Sequence, residues 1–170
     1  FAGRFTSEKG IIPLLECWKD LPYNLRIFGA GPFQDTVKNY AARYPNITFH
    51  GQTDKDGIVA EMRKCSILIF PSVWFEPFGM TIIEAFACGM PVMAFQIGGI
   101  TSLIQDGYNG ILIKDKSLDS LRIAIDRWAN SDPSLKKNSQ LNARQTFLRF
   151  YTNPSNLQSL LQIYRSVNYK

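Results

Sequence analysis

The sequence predicts an α/β domain, an open, doubly wound parallel sheet of about six strands with helices on both faces. Three observations lead there. Short apolar runs alternate with longer amphipathic ones, the pattern of parallel strands joined by crossover helices. Glycine-rich turns, Gly29-Ala30-Gly31-Pro32, Glu76 to Gly79 and Ile97-Gly98-Gly99, each follow an expected strand. A chain of 170 residues, 45% hydrophobic and 19% charged, has the size and composition of one ordinary domain with a buried core.

Taken in order, Phe1 to Arg4 reads as a strand and Glu8 to Lys19 as the helix that follows it. Asn24 to Gly29 is the second strand, ended by its glycine turn, with a helix from Phe33 to Tyr44. Ile47 to His50 is the third, and the helix from about Asp54 to Lys64 has Asp54 as its N-cap and Asp56 favouring its dipole. Ile67 to Phe70 is the fourth strand. Met80 to Cys88 holds no helix breaker and leads into a fifth strand, Pro91 to Phe95, while Gly98-Gly99 opens a further helix. Gly110 to Ile113 is the sixth strand, and helices follow at Leu118 to Ala129, Ser134 to Phe150 and Asn156 to Ser166. Neither an internal repeat nor a low-complexity linker divides the chain, so residues 1–170 form one Rossmann-like, nucleotide-binding unit. In such sheets ligands sit outside the carboxyl ends of the strands, where the three glycine turns gather.

Composition narrows the partners. No apolar run approaches membrane-spanning length. Phe1-Ala2-Gly3-Arg4 begins on the apparent strand without an initiator Met or a signal peptide, so the chain is expected to be a fragment of a longer polypeptide. The net charge of +5 suits phosphate-bearing ligands or an anionic membrane surface. The basic residues are dispersed, with Lys136-Lys137 the nearest approach to a run, and no interleaved aromatics offer a base-stacking platform; no nucleic-acid partner is expected. Cys17, Cys65 and Cys88 fall at irregular spacings, which reads as reduced, buried thiols in a cytoplasmic protein. His50 is a strand-end residue with nothing to pair it with a nucleophile. Asp54-Lys55-Asp56 is explained by helix capping, and no metal site or cofactor is expected.

The chemistry concentrates in residues 76–84. Glu76 and Glu84 stand with seven residues between them, and Pro77 and Gly79 keep Glu76 on a loop. Behind them a helix can start, with the amides of Gly79, Met80 and Thr81 pointing out of its first turn toward an anion such as phosphate. One turn further, Glu84 is placed to accept hydrogen bonds from vicinal hydroxyls, as an acidic residue does with a ribose. Gly3-Arg4 ends the first strand and Lys9-Gly10 opens the next helix, so a rigid fork and a mobile point charge reach the same edge, a pairing suited to clamping a diphosphate. Each alone would more commonly be a solvated side chain or surface ion pair. Gly29-x-Gly31-Pro32 lacks the third glycine of a dinucleotide turn and serves close backbone approach, to a ligand or within a tight turn. Trp74-Phe75 could flank a sugar ring, but buried packing is the expected role of adjacent aromatics. A ligand with charge in its middle and hydroxyls at both ends, a nucleotide-sugar, fits this set.

Several motifs together resemble the carboxy-terminal half of a retaining glycosyltransferase of family 4, with the two-domain GT-B fold. They are Phe1-x-Gly3-Arg4 with Glu8-Lys9-Gly10, Gly29-x-Gly31-Pro32, Phe49-x-Gly51, and Pro71-Ser72 through Glu76-Pro77-Phe78-Gly79. Glu84-Ala85-Phe86-Ala87-Cys88-Gly89, Pro91-Val92, Gly98-Gly99 and Asp106-Gly107-Tyr108-Asn109-Gly110 complete the match, which runs to about residue 130. The resemblance implies that Arg4 and Lys9 hold the donor diphosphate in place of a metal, that Glu84 binds the ribose, and that Glu76 lies beside the donor sugar. It implies that the amides of Gly79, Met80 and Thr81 take the distal phosphate. A UDP-sugar is favoured over a GDP-sugar. An amino-terminal acceptor domain would be missing, leaving the isolated chain inactive alone, and residues 155–170 would form a helix that packs on it. The acceptor (a glycan, a lipid or another molecule) is not specified, and peripheral membrane contact stays open. One departure stands out: where the family usually carries an acid, three residues after the paired glycines, this chain has Ser102. The alternative is a non-catalytic nucleotide-binding or interaction module of the same fold.

Overall fold

Five parallel strands and eight α-helices alternate along residues 1–167, the part of the chain that the computed structural model describes. Strands β1 (Leu25–Phe28) and β2 (Ile47–Gly51) form one ladder, paired from Leu25 opposite Ile47. Strands β3 (Leu68–Phe70), β4 (Val92–Phe95) and β5 (Gly110–Ile113) form a second, in the order β3-β4-β5. All pairs are parallel, and the crossovers are α2 (Gln34–Arg43), α3 (Lys55–Met62), α4 (Met80–Ala87) and the short α5 (Ile100–Leu103). Helix α1 (Ile11–Trp18) precedes β1; α6 (Leu118–Ala129), α7 (Pro133–Phe150) and α8 (Asn153–Val167) follow β5. Of the expected carboxy-terminal segment 155–170, residues 168–170 lie outside the described residues.

The runs that read as fully apolar strands are buried on both faces: every residue of β3 and of β4 is buried. They join Phe5, Ile27 and the α1 residues Ile11, Leu14 and Leu15 in a single core. Helix α1 packs on α6, and α4 packs on α7, giving a helix layer on each side of the strands.

Two expectations change. The segment Phe1 to Arg4 is not a full strand; only Ala2 bridges to Phe28. Phe28 N donates to Phe1 O (2.9 Å) and Gly3 N to Phe28 O (3.1 Å), but β1 ends there. Beyond it the chain turns through Gly29, where a side chain would meet Gly3 O at 1.9 Å. The expected helix Glu8 to Lys19 is also divided. Gly10 adopts φ +69°, which closes a 3-10 turn at Ser7–Lys9 before α1 begins. Among the cysteines, Cys17 is buried while Cys65 and Cys88 are half-buried, and all three are free thiols.

Side-chain caps open three of these helices, at Asp54 as expected and at Ser117 and Asp132 besides. Asp54 accepts from Gly57 N at 2.8 Å at the start of α3. Ser117 caps α6, and Asp132 caps α7 immediately before Pro133.

Candidate functional site

Residues 71–79 link the end of β3 to α4, and three short contacts hold them in place. Val73 N and the Ser72 hydroxyl both donate to Glu8 O, each at 3.0 Å, fastening this loop to the Ser7–Lys9 turn. The approach is so close that a side chain at Gly10 would lie 2.0 Å from Pro71 O. From the other side, Gly99 N donates to Glu76 O at 3.2 Å. The would-be Cβ of Gly98 would stand 3.2 Å from Phe75 Cα. The paired glycines thus form the surface against which the Glu76 loop rests.

That framework brings Lys9 and Glu76 together. Lys9 Nζ forms an ion pair with Glu76 Oε1, which also accepts from the Ser72 hydroxyl at 3.3 Å. The ammonium lies 5.7 Å from the centroid of the Phe70 ring. Only 19% of the Lys9 side chain and 13% of the Glu76 side chain are exposed, so water screens the pair less than it would at the surface. The pair opens onto a cavity of about 680 Å³ lined by Arg4, Glu8, Lys9, Trp74, Glu76 and Pro77 among others. Two cations and two carboxylates face it. The Glu8 carboxyl is held below its ordinary pKa, first by its own backbone amide and to a smaller degree by the charge of Arg4. Arg4 is exposed and makes no ion pair among the described residues.

Beside the cavity, Gly79 takes φ +73° as the N-cap of α4, and Ile82 N donates to Gly79 O at 2.9 Å. The amides of Gly79, Met80 and Thr81 meet no acceptor among the described residues. Glu84 sits half-buried one turn along the helix, with no ion pair or side-chain hydrogen bond among the described residues.

The Glycosyl transferases group 1 family matches residues 1–162. This chain belongs to that family. A glycosyltransferase of Methanocaldococcus jannaschii is 32% identical over 152 residues, covering 88% of this chain and 43% of that protein. The D-rhamnosyltransferase WbpZ of Pseudomonas aeruginosa is 29% identical over 156 residues, covering 89% and 41%. The crystal structure of Anabaena HepE in complex with UDP superposes with a TM-score of 0.83 at 25% identity, covering 97% of this chain and 48% of that one. The chain therefore spans less than half the length of each of these proteins. The fold expectation, α/β with parallel strands and helices on both faces, holds, and its structural neighbours are GT-B glycosyltransferases.

Within this group 1 domain the residues singled out in the sequence divide into three sets. Arg4, Lys9 and Glu76 share one cavity. Gly79, Met80, Thr81 and Glu84 lie on α4 and its cap, beside that cavity rather than in its lining. Gly29 is occupied by packing against Gly3, and His50 stacks exposed on Phe28 at 4.5 Å. Trp74 and Phe75 overturn the expectation of burial: they are 63% and 71% exposed. They lie in the loop between β3 and α4. Ser72 is the residue that sequence reasoning passed over as a positioning group. It is 1% exposed, and its hydroxyl spans Glu8 O and the Glu76 carboxylate. A serine at a strand end carries no signal of that role before the fold brings residues 8 and 76 together.

Proposed function

We propose that this domain binds the donor, a nucleoside-diphosphate sugar, for a retaining, metal-independent hexosyl transfer of the family 4 type. The observation that carries the reading is the meeting of Arg4, Lys9 and Glu76 in one cavity beside the free amides that open α4. Arg4 offers a bidentate fork and Lys9 a mobile charge to the diphosphate, and the first turn of α4 adds amides and the positive end of its dipole. As the glycosidic bond breaks, negative charge grows on the leaving diphosphate, and fixed positive groups there stabilise the transition state without a metal. Glu76 faces the sugar, where its carboxylate accepts hydrogen bonds from the hydroxyls and offsets positive charge at the reacting carbon. Glu84 takes the ribose hydroxyls. UDP is the preferred nucleotide, a choice supported by the complex of HepE with UDP. The remainder of the enzyme, beyond the length this chain spans, supplies the acceptor side of the cleft.

Calorimetric titration of the chain with UDP, GDP and ADP, with and without magnesium, tests this reading alongside Glu84→Ala and Arg4→Ala. Metal-independent binding of one nucleotide, weakened in both variants, is the expected result. Binding that requires magnesium, or that ignores both substitutions, would sink it.

A further inference from the structure

Among the three tryptophans, two are core residues with satisfied indoles. Trp18 donates to Tyr23 O at 2.7 Å and Trp128 to Ser66 Oγ at 3.0 Å. Trp74 is different. It is 63% exposed, and its indole N–H meets no acceptor among the described residues. A large aromatic surface left open to water at a cleft marks a contact that the isolated chain does not complete.

The chain bends at Trp74, and the two adjacent aromatics turn to different surroundings. Phe75 turns to the Gly98 side, its ring Cδ1 3.2 Å from where a Gly98 Cβ would stand, while Trp74 lines the cavity with Arg4, Lys9 and Glu76. The same cavity therefore presents a broad π face, an ammonium and a carboxylate. A pyranose ring carries the complementary surfaces: an apolar face of C–H groups that packs on an indole, and a rim of hydroxyls for Glu76 and Lys9. A diphosphate alone offers nothing to the indole. Glu84, the residue suited to the ribose, lies outside the cavity lining, which places the nucleoside end of a bound donor toward α4 and the glycosyl end toward Trp74.

We propose that Trp74 is the stacking face for the glycosyl ring of the donor, the residue by which this domain distinguishes a sugar nucleotide from the free nucleotide. The inference rests on the donor-binding reading above and adds a specificity-determining residue to it.

The test is a titration of the full chain, Trp74→Ala, Trp74→Phe and Glu84→Ala with UDP and UDP-glucose, repeated with GDP and GDP-mannose. Trp74→Ala should weaken the sugar nucleotide about tenfold and change the free nucleotide by less than about twofold, while Trp74→Phe retains most of the sugar-dependent affinity. Glu84→Ala should weaken both ligands alike. In fluorescence, the sugar nucleotide should alter wild-type emission beyond the change made by the free nucleotide. That excess should vanish in Trp74→Ala, where Trp18 and Trp128 remain. Where Trp74→Ala lowers the melting temperature, Trp74→Leu, which keeps an apolar side chain but no ring, takes its place and should show the same selective loss. Equal weakening of both ligands by Trp74→Ala, or of neither, would overturn the inference while leaving the donor-binding reading standing. Absence of binding by any nucleotide to the wild-type chain would overturn both.

Discussion

Lys9 and Glu76, 67 residues apart in the chain, form an ion pair at the edge of the cavity, with the Ser72 hydroxyl on the same carboxylate oxygen. The cation assigned to a diphosphate and the carboxylate assigned to a sugar are thus each other's partners before a ligand enters. A diphosphate must draw Lys9 away from Glu76, which lowers the apparent affinity by the strength of the pair and leaves Glu76 free to meet the sugar.

That competition has a measurable consequence. Glu76→Gln keeps the size and a neutral acceptor for Lys9 but removes the charge, so UDP should bind about twofold to fivefold tighter than to wild type. Lys9→Ala should bind UDP more weakly. Isothermal titration of both variants decides the matter; a weaker UDP complex in Glu76→Gln would show that Glu76 supports the nucleotide directly.

Glu84 has no side-chain partner among the described residues, so its removal costs the fold little. Two hydrogen bonds to ribose hydroxyls, if lost together, weaken binding by roughly tenfold to a hundredfold. Glu84→Ala should therefore show that loss for UDP with an unchanged melting temperature. A matching fall in melting temperature would make Glu84 a structural residue.

Much of this was legible from local signals. The bounds of α6, Leu118 to Ala129, are those expected from the sequence, and Asp54 caps α3 as expected. The acidic pair, the glycine turns and Arg4 with Lys9 stood out by type and spacing. What stayed hidden depends on distant backbone. Gly10 divides the first helix because Pro71 O fills the space beside it, and the strand at Phe1 to Arg4 stops because Gly29 turns into Gly3 O. Nothing in residues 1–5 or 8–19 reports those neighbours. The exposure of Trp74 and Phe75 was equally invisible, since adjacent aromatics after a buried strand read the same whether a helix covers them or a cleft opens there.

The pH dependence of stability should show the cap of α7. The Asp132 carboxyl is held below its ordinary pKa, first by the Ser134 side chain and then by the Ser134 amide. Because the folded value is depressed, its stabilising contribution is present above the unfolded value and is lost as pH falls through the folded one. In urea denaturation, the gap between wild type and Asp132→Ala should stay constant near neutrality and close below about pH 4. A gap that persists at lower pH would assign the effect to the missing side chain rather than its charge.

Gly99 offers the sharpest separation of fold from site. Its φ of −64° and ψ of −15° are ordinary helical values, so alanine fits the backbone and gains helix propensity. The space is the obstacle: a Cβ there would lie 2.8 Å from Pro77 O and 2.9 Å from Glu76 O, both backbone atoms that cannot rotate aside. The Glu76 loop must move instead, at a net cost of about 1 kcal/mol in unfolding free energy. Gly107 makes the control. It has φ +73° with nothing within 4 Å, so alanine there is strained by roughly 1–2 kcal/mol yet touches no neighbour. Both substitutions should lower the urea midpoint by similar amounts. Only Gly99→Ala should also weaken the binding of a sugar nucleotide, because it alone displaces the backbone that holds Glu76 against Lys9. Equal binding by the two variants would show that the position of the Glu76 loop does not govern donor recognition.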